Sequence, residues 1–256
     1  MSDLLQRVQA RFLKEIFHSS KGGFVLKGGM ALAALFGPSR LTHDVDLDFP
    51  APGKRTADSL HNQVMRAVNQ ALRGTGITEV HISEPGKAEL SPKWKVSGRA
   101  PTGESFHMRI EVSRCQPPPG AVRQATISGV ACFGLGTYYV DVYDERTLVA
   151  MKLAALLGRT ATRDVCDLDL LLPTHDPSPE LLDWALQHAN VRVDEASDAV
   201  REKLTSMDWP LFQTQMLADR ELMERMTDAR WQQMRDRVGT RLTHILDQHA
   251  GHGERS

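Results

Sequence analysis

Leu4, Leu5, Val8, Phe12, Ile16 and Phe17 recur at helical spacing, so residues 4–17 read as an amphipathic helix. A short apolar strand over 24–26 runs into Gly28-Gly29, and 30–36 (MALAALF) reads as a buried helix closed by Gly37-Pro38. Residues 45–49 alternate as a strand. Leu60, Val64, Val68 and Leu72 then share one face of a second amphipathic helix over 56–73. From 77 to 140 the period falls to two. Strand candidates at 77–83, 93–98, 106–113, 125–131 and 137–142 are separated by turns such as Pro117-Pro118-Pro119-Gly120. After Asp144 the strands stop, and helices are expected at 145–157, 163–172, 179–189, 194–206 and 210–218, with a long charged one over 219–249. Ser178-Pro179 is a helix start, a capping serine followed by proline at the first helical position.

The pattern predicts an α+β fold, a mixed sheet flanked by helices, followed by an all-α C-terminal region. The expected division is a domain over 1–143 and a helical domain over 144–256. With 256 residues the chain is long enough for a sizeable core. Net charge is −1, so any nucleic-acid partner must meet a local basic patch. Cys115, Cys132 and Cys166 are scattered without metal-ligand spacing and read as reduced thiols of a cytoplasmic protein. The first helix carries both charge signs and no long apolar core, so it is not expected to be a signal peptide. No apolar run is long enough for a membrane span.

Within LKGGMALAALFGPSRLTHDVDLDF, three aspartates stand at alternate positions soon after a Gly-Gly turn. Residues two apart in a strand face the same way, so Val45, Leu47 and Phe49 enter the core while Asp44, Asp46 and Asp48 line the other face. Carboxylates at this spacing suit Mg²⁺, which keeps several waters and takes its remaining ligands from phosphates. Gly28 and Gly29 let the backbone approach a phosphate, and the helix after them offers free N–H groups. The alternative is an edge strand whose charges block aggregation, beside a plain turn.

Gly-Gly, a short helix and Asp-x-Asp on a strand resemble the signature of the DNA-polymerase-β-like nucleotidyltransferases. The fuller string is similar to their AbiEii/AbiGii toxin branch, matching at Leu26, Lys27, Gly28, Gly29, Ala31, Leu32, Arg40, Asp44 and Asp46, with Thr42 where that branch commonly has serine. Two further motifs agree with the branch: Arg109-Ile110-Glu111 in a polar-faced strand, and Lys152, Arg159, Arg163, Asp164 and Asp167 across two helices. The resemblance covers roughly residues 22–172.

The resemblance implies nucleotidyl transfer. A hydroxyl attacks the α-phosphorus of an NTP and pyrophosphate leaves, with two Mg²⁺ ions, or Mn²⁺, at the site. On that reading Asp44, Asp46 and Glu111 hold metal. Gly28 and Gly29 bind the β- and γ-phosphates, and Lys27, Arg40, Thr42 and Lys152 line the nucleotide site. Lys152 is contributed to the cleft by the helical domain as a point charge on the triphosphate. Asp164 and Asp167 orient it, act as general base, or pair with Arg159 or Arg163. The implied partners are a tRNA acceptor and an antitoxin encoded nearby, in a toxin–antitoxin or phage-defence system. Candidate RNA contacts are Lys87, Lys93, Trp94, Lys95, Arg99 and Arg123, with Arg225, Arg230, Arg235, Arg237 and Arg241 in the last helix. A solvated charged face is the competing reading for each. Rival functions are a small-molecule nucleotidyltransferase of the aminoglycoside-modifying kind and an inactive binding module. A phosphate on Thr42, two residues before Asp44, is expected to repel the incoming nucleotide.

Overall fold

The computed structural model describes residues 2–20, 23–37, 42–49, 57–83, 85, 90–127 and 134–253. Its chain forms two compact units, residues 1–117 with 122–143, and residues 118–121 with 144–256.

The first unit is built on helices α1 (Ser2–Ser20), α2 (Gly28–Phe36) and α3 (Ala57–Leu72). Its strands are β1 (Val25–Lys27), β2 (Asp44–Asp48), β3 (Thr78–Ser83), β4 (Lys93–Arg99), β5 (Ser105–Ser113), β6 (Val122–Ile127) and β7 (Tyr138–Tyr143). They form one mixed sheet in the order β3-β4-β5-β2-β1-β7-β6. β2 runs parallel to β5 and antiparallel to β1, so the aspartate strand lies at the centre of seven. The edge-strand alternative is therefore wrong: both sides of β2 are hydrogen-bonded, and its charges have no edge to protect.

The alternation along each strand decides which face is covered. Val45, Leu47, Ile110, Val112, Trp94, Val96, Val140 and Val142 are buried on one face. There α1 and α3 pack: Tyr138 Oη donates to the Ala10 carbonyl at 2.9 Å, and Trp94 Nε1 to His61 Nδ1 at 3.3 Å. Each fully buried aliphatic or aromatic side chain contributes about 1.5–3 kcal/mol of transfer free energy. Trp94 is 1% exposed, so it is a core residue and not an RNA contact. The opposite face carries the polar positions of the same strands.

The second unit is helical: α4 (Glu145–Gly158), α5 (Thr162–Leu171), α6 (Pro179–Ala189), one 3₁₀ turn (Val193–Glu195), α7 (Ala196–Thr205), α8 (Trp209–Met216), α9 (Arg220–Arg225) and α10 (Asp228–Gly253). Asp144, Ser178 and Asp208 each accept a backbone N–H from three residues on, which satisfies one orphan donor per helix start. The long charged helix expected over 219–249 is two helices. Met226 is extended (φ −99°, ψ 139°), and Thr227 Oγ1 accepts from Arg230 N at 3.3 Å, starting a new helix. Trp231 follows at once, fully buried against Phe212 with Nε1 on the Met207 carbonyl at 2.9 Å. Burying that ring decides where α10 begins. No helix among the described residues is long and apolar enough to cross a membrane.

Candidate active site

The strand register assembles the polar face rung by rung. Asp46 lies between Glu111 of β5 and Lys27 of β1, and Asp44 beside Arg109 of β5. Neighbouring strands are about 4.8 Å apart, so Asp46 and Glu111 project side by side from the sheet centre, with Asp44 one pleat away. Of the residues expected to hold metal, all three share this face.

Glycine is required where β1 turns into α2. Gly28 has φ +67°, a left-handed conformation that costs an L-residue about 1–2 kcal/mol. A Cβ at Gly28 would overlap Asp46 Oδ2 and lie 3.1 Å from Asp46 Cγ. The turn is thus moulded around the Asp46 carboxylate. Lys27, at the N-cap, makes no side-chain cap, and the N-terminus of α2 begins beside that carboxylate.

The carboxylates are held individually. Arg109 Nη2 lies 2.5 Å from Asp44 Oδ2, while Arg109 Nε is buried without an acceptor. Glu111 accepts from Ser91 Oγ at 2.9 Å and pairs with Lys93 Nζ at 3.3 Å. Ser91 lies in no motif and Lys93 stood only among the candidate RNA contacts; the β4–β5 pairing brings both to Glu111.

Asp48 departs from the simple alternation. It shares the polar face but is 3% exposed. Its Oδ1 takes Lys27 Nζ at 2.5 Å and its Oδ2 takes Tyr143 Oη at 2.8 Å. Burial, and then the Asp48 carboxylate, hold the Tyr143 hydroxyl well above the ordinary tyrosine range, so it remains a donor at any working pH. Lys27, expected at the nucleotide, is thus neutralised by a carboxylate of its own unit. Thr42 precedes β2; its Oγ1 donates to the Asp44 carbonyl at 3.3 Å, and its carbonyl accepts from Gln9 Nε2 at 2.9 Å. Arg40 and Lys87 lie outside the described residues.

In the helical unit, Lys152 is buried, with its ammonium 2.6 Å from Asp167 Oδ2 and 3.3 Å from Asp164 Oδ1. Arg159 grips Asp164 through Nε at 2.8 Å and Nη2 at 3.0 Å. The Lys152 ammonium does not reach solvent, and both aspartates hold it. Asp164 is 0% exposed and accepts three hydrogen bonds, two on Oδ1 and one on Oδ2, all from cations of its own unit. Arg237 is bidentate on Asp169, Arg241 pairs with Asp176 and Arg225 with Glu221. Arg235 donates to the Leu204 and Met207 carbonyls, and Arg230 to the Arg225 carbonyl. Three of these five arginines expected at RNA, Arg225, Arg237 and Arg241, are therefore neutralised by carboxylates of their own unit.

A divalent cation meets a suitable donor set on the sheet face. The available ligands are carboxylate oxygens only, the chemistry of a hard ion. Among the described residues no group of three or more ligands stands ready-made. Mg²⁺ needs no such cage, because one or two carboxylates suffice when phosphates complete its shell. Asp46 and Glu111 fit that demand, with Asp44 as a third oxygen donor once Arg109 yields it.

A profile of the nucleotidyl transferase AbiEii toxin family, of type IV toxin–antitoxin systems, matches residues 11–247. Among solved structures, JHP933 from Helicobacter pylori superposes with a TM-score of 0.57 at 17% identity, over 99% of this chain and 96% of that one. MenT4, a nucleotidyltransferase toxin from Mycobacterium tuberculosis H37Rv, superposes with a TM-score of 0.54 at 19% identity, over 77% of this chain and 66% of that one. At such identities the likeness is one of fold. Curated protein sequences give no significant match. The family profile spans all three motifs and residues of both units, and the chain belongs to the AbiEii family of nucleotidyltransferase toxins of type IV toxin–antitoxin systems.

Proposed function

We propose that this toxin transfers a nucleoside monophosphate from an NTP to an RNA 3′-hydroxyl, the acceptor end of a tRNA, with Mg²⁺ at the Asp44/Asp46/Glu111 face, as the toxic arm of a phage-defence system held in check by its antitoxin. The observation that carries the reading is the moulding of Gly28 around Asp46 in register with Glu111. It joins an oxygen-donor set to a helix N-terminus that lacks a side-chain cap. When bound, the metal supplies charge neutralisation on the phosphates and on the oxygens that enter and leave. The protein's own share is positional. Backbone amides of Gly28 and Gly29 bind phosphate oxygens. Asp46 and Glu111 hold the metal-binding oxygens at fixed spacing. Asp48, which accepts from both Lys27 and Tyr143, ties β2 to β1 and β7 beside them. The acceptor hydroxyl gives its proton to solvent water as its O–P bond forms, the bond from the α-phosphorus to the bridging oxygen breaks, and pyrophosphate departs.

The test is label transfer from each of four α-³²P NTPs to total tRNA in Mg²⁺. Wild type is expected to label tRNA with one preferred nucleotide, and Asp44→Ala/Asp46→Ala to fall to background. Absence of label with every NTP would refute an RNA acceptor. Thr42→Glu is expected to lose most of this activity, since the added carboxylate stands two residues from Asp44 and opposes an anionic nucleotide. Wild-type rates in that variant would remove Thr42 from the nucleotide site.

A further inference from the structure

The polar face does not stop at the carboxylates. Three rungs cross it, each given by strand register. One runs Lys93–Glu111–Asp46, the next Ser83–Lys95–Arg109–Asp44, and the third His81–Ser97–His107. Arg99, opposite Ser105, adds a fourth level. Lys95, Arg99, His81 and His107 are exposed. Within this set the acids concentrate at Asp44, Asp46 and Glu111, while cations and imidazoles occupy the levels leading away along β4 and β5.

Three of the cations are already paired: Lys93 with Glu111, Arg109 with Asp44, and Arg99 weakly with Glu79 at 3.5 Å. Lys95 forms no ion pair among the described residues. Arg99 Nη1 is anchored on the Gly103 carbonyl at 3.0 Å, which aims its guanidinium without neutralising it. Along β4 the side chains Lys93, Lys95, Ser97 and Arg99 recur every second residue, a step of about 6.7 Å. That step is comparable with the spacing of successive phosphates in an extended single strand.

We infer that the β3–β4–β5 face is a phosphate track for the single-stranded 3′ end of the acceptor RNA, with Lys95 and Arg99, two such steps or about 13 Å apart along β4, contacting alternate backbone positions upstream of a 3′-hydroxyl delivered to Asp46 and Glu111. The inference rests on the RNA-acceptor reading above and deepens it. Charge complementarity selects the occupant: a polyanion gains counterion-release free energy along the cationic levels. A 3′-hydroxyl carries no charge of its own and can end among the carboxylates. An acidic protein segment would have no chemical reason to terminate there. Ser83 and Ser105 add hydroxyl donors beside the cations, and exposed His81 and His107 offer planar rings to unstacked bases.

The experiment measures anisotropy of a 5′-fluorescein single-stranded oligoribonucleotide with the full chain over a series of salt concentrations, alongside tRNA labelling. Lys95→Gln/Arg99→Gln is the variant; both side chains are exposed, so folding is checked by an unchanged melt. The expected result is at least about tenfold weaker oligonucleotide binding at low salt. The slope of log K against log salt should fall by roughly 1.4, since each phosphate contact on a single strand contributes about 0.7. KM for tRNA should rise with KM for NTP unchanged. Equal binding and equal slope in wild type and variant, with tRNA still labelled, would overturn the track and leave RNA transfer standing. Wild type that neither binds the oligonucleotide nor labels tRNA would overturn both. Polyglutamate bound in place of the oligonucleotide, and lost in the variant, would overturn the track in favour of an acidic protein segment.

Discussion

Gly28→Ala is expected to lower nucleotidyl transfer at least about 100-fold while the chain remains folded. Two costs arise at this position. The left-handed backbone, φ +67°, costs an alanine about 1–2 kcal/mol, which a domain of ordinary stability survives. The second cost is local and functional. The new methyl group occupies the space of Asp46 Oδ2, so the carboxylate must rotate away or β1 must separate from β2. Either movement displaces the oxygen proposed to bind metal by about 1 Å, a misplacement worth roughly two orders of magnitude in rate. Gly37→Ala separates the two costs. Gly37 also has a positive φ, +83°, with ψ 171°, a region almost exclusive to glycine, but nothing among the described residues lies within 4 Å of the point its methyl group would take, so this variant should lose at least as much stability and keep its activity. Label transfer and thermal melts on both variants decide the matter. Wild-type transfer by Gly28→Ala would mean that Asp46 does not need its present position, and the metal-site reading would fall with it.

Lys152→Met is expected to destabilise the helical unit by about 3–5 kcal/mol, read as a shift in its urea unfolding midpoint. The substitution preserves volume and apolar contact. What it removes is the ammonium that meets Asp164 and Asp167, themselves 0% and 2% exposed. Arg159 remains on Asp164, so the group that loses its ammonium is chiefly Asp167. A buried carboxylate deprived of that cation carries most of the desolvation penalty that the pair had offset. The companion variant Lys152→Met/Asp167→Leu replaces both charges by apolar groups and should recover much of the loss, a non-additivity that a purely steric effect would not produce. A single variant as stable as wild type would show that this cluster does not hold the unit together.

Much of this protein was legible along the chain because secondary structure and facing are local properties. The two-residue alternation of Asp44, Asp46 and Asp48 against Val45, Leu47 and Phe49 put the carboxylates on one face and the apolar residues in the core, and β2 obeys it. The Gly-Gly turn, the helix after it and the strand carrying Glu111 follow from the same kind of pattern. The motif spacing carried the family with it.

Tertiary structure decided whatever depends on which strand lies beside which, and on which charge finds which. Nothing in DVDLD distinguishes an edge from a centre; the order of seven strands does. Asp48 has the same sequence surroundings as Asp46, yet it is sealed by Lys27 and Tyr143, which lie 21 and 95 residues away in the chain. Trp94, between two lysines, looked like a nucleic-acid contact until α3 covered it. The last-helix arginines looked available until Asp169 and Asp176 claimed two of them. The break at Met226 is made by the burial of Trp231 rather than by a proline or glycine. Periodicity reports the face a residue presents, because that is set within one or two turns of its own chain. The partner that meets that face comes from distant sequence, and short-range electrostatics then decide whether the charge is spent in a pair or left for a ligand.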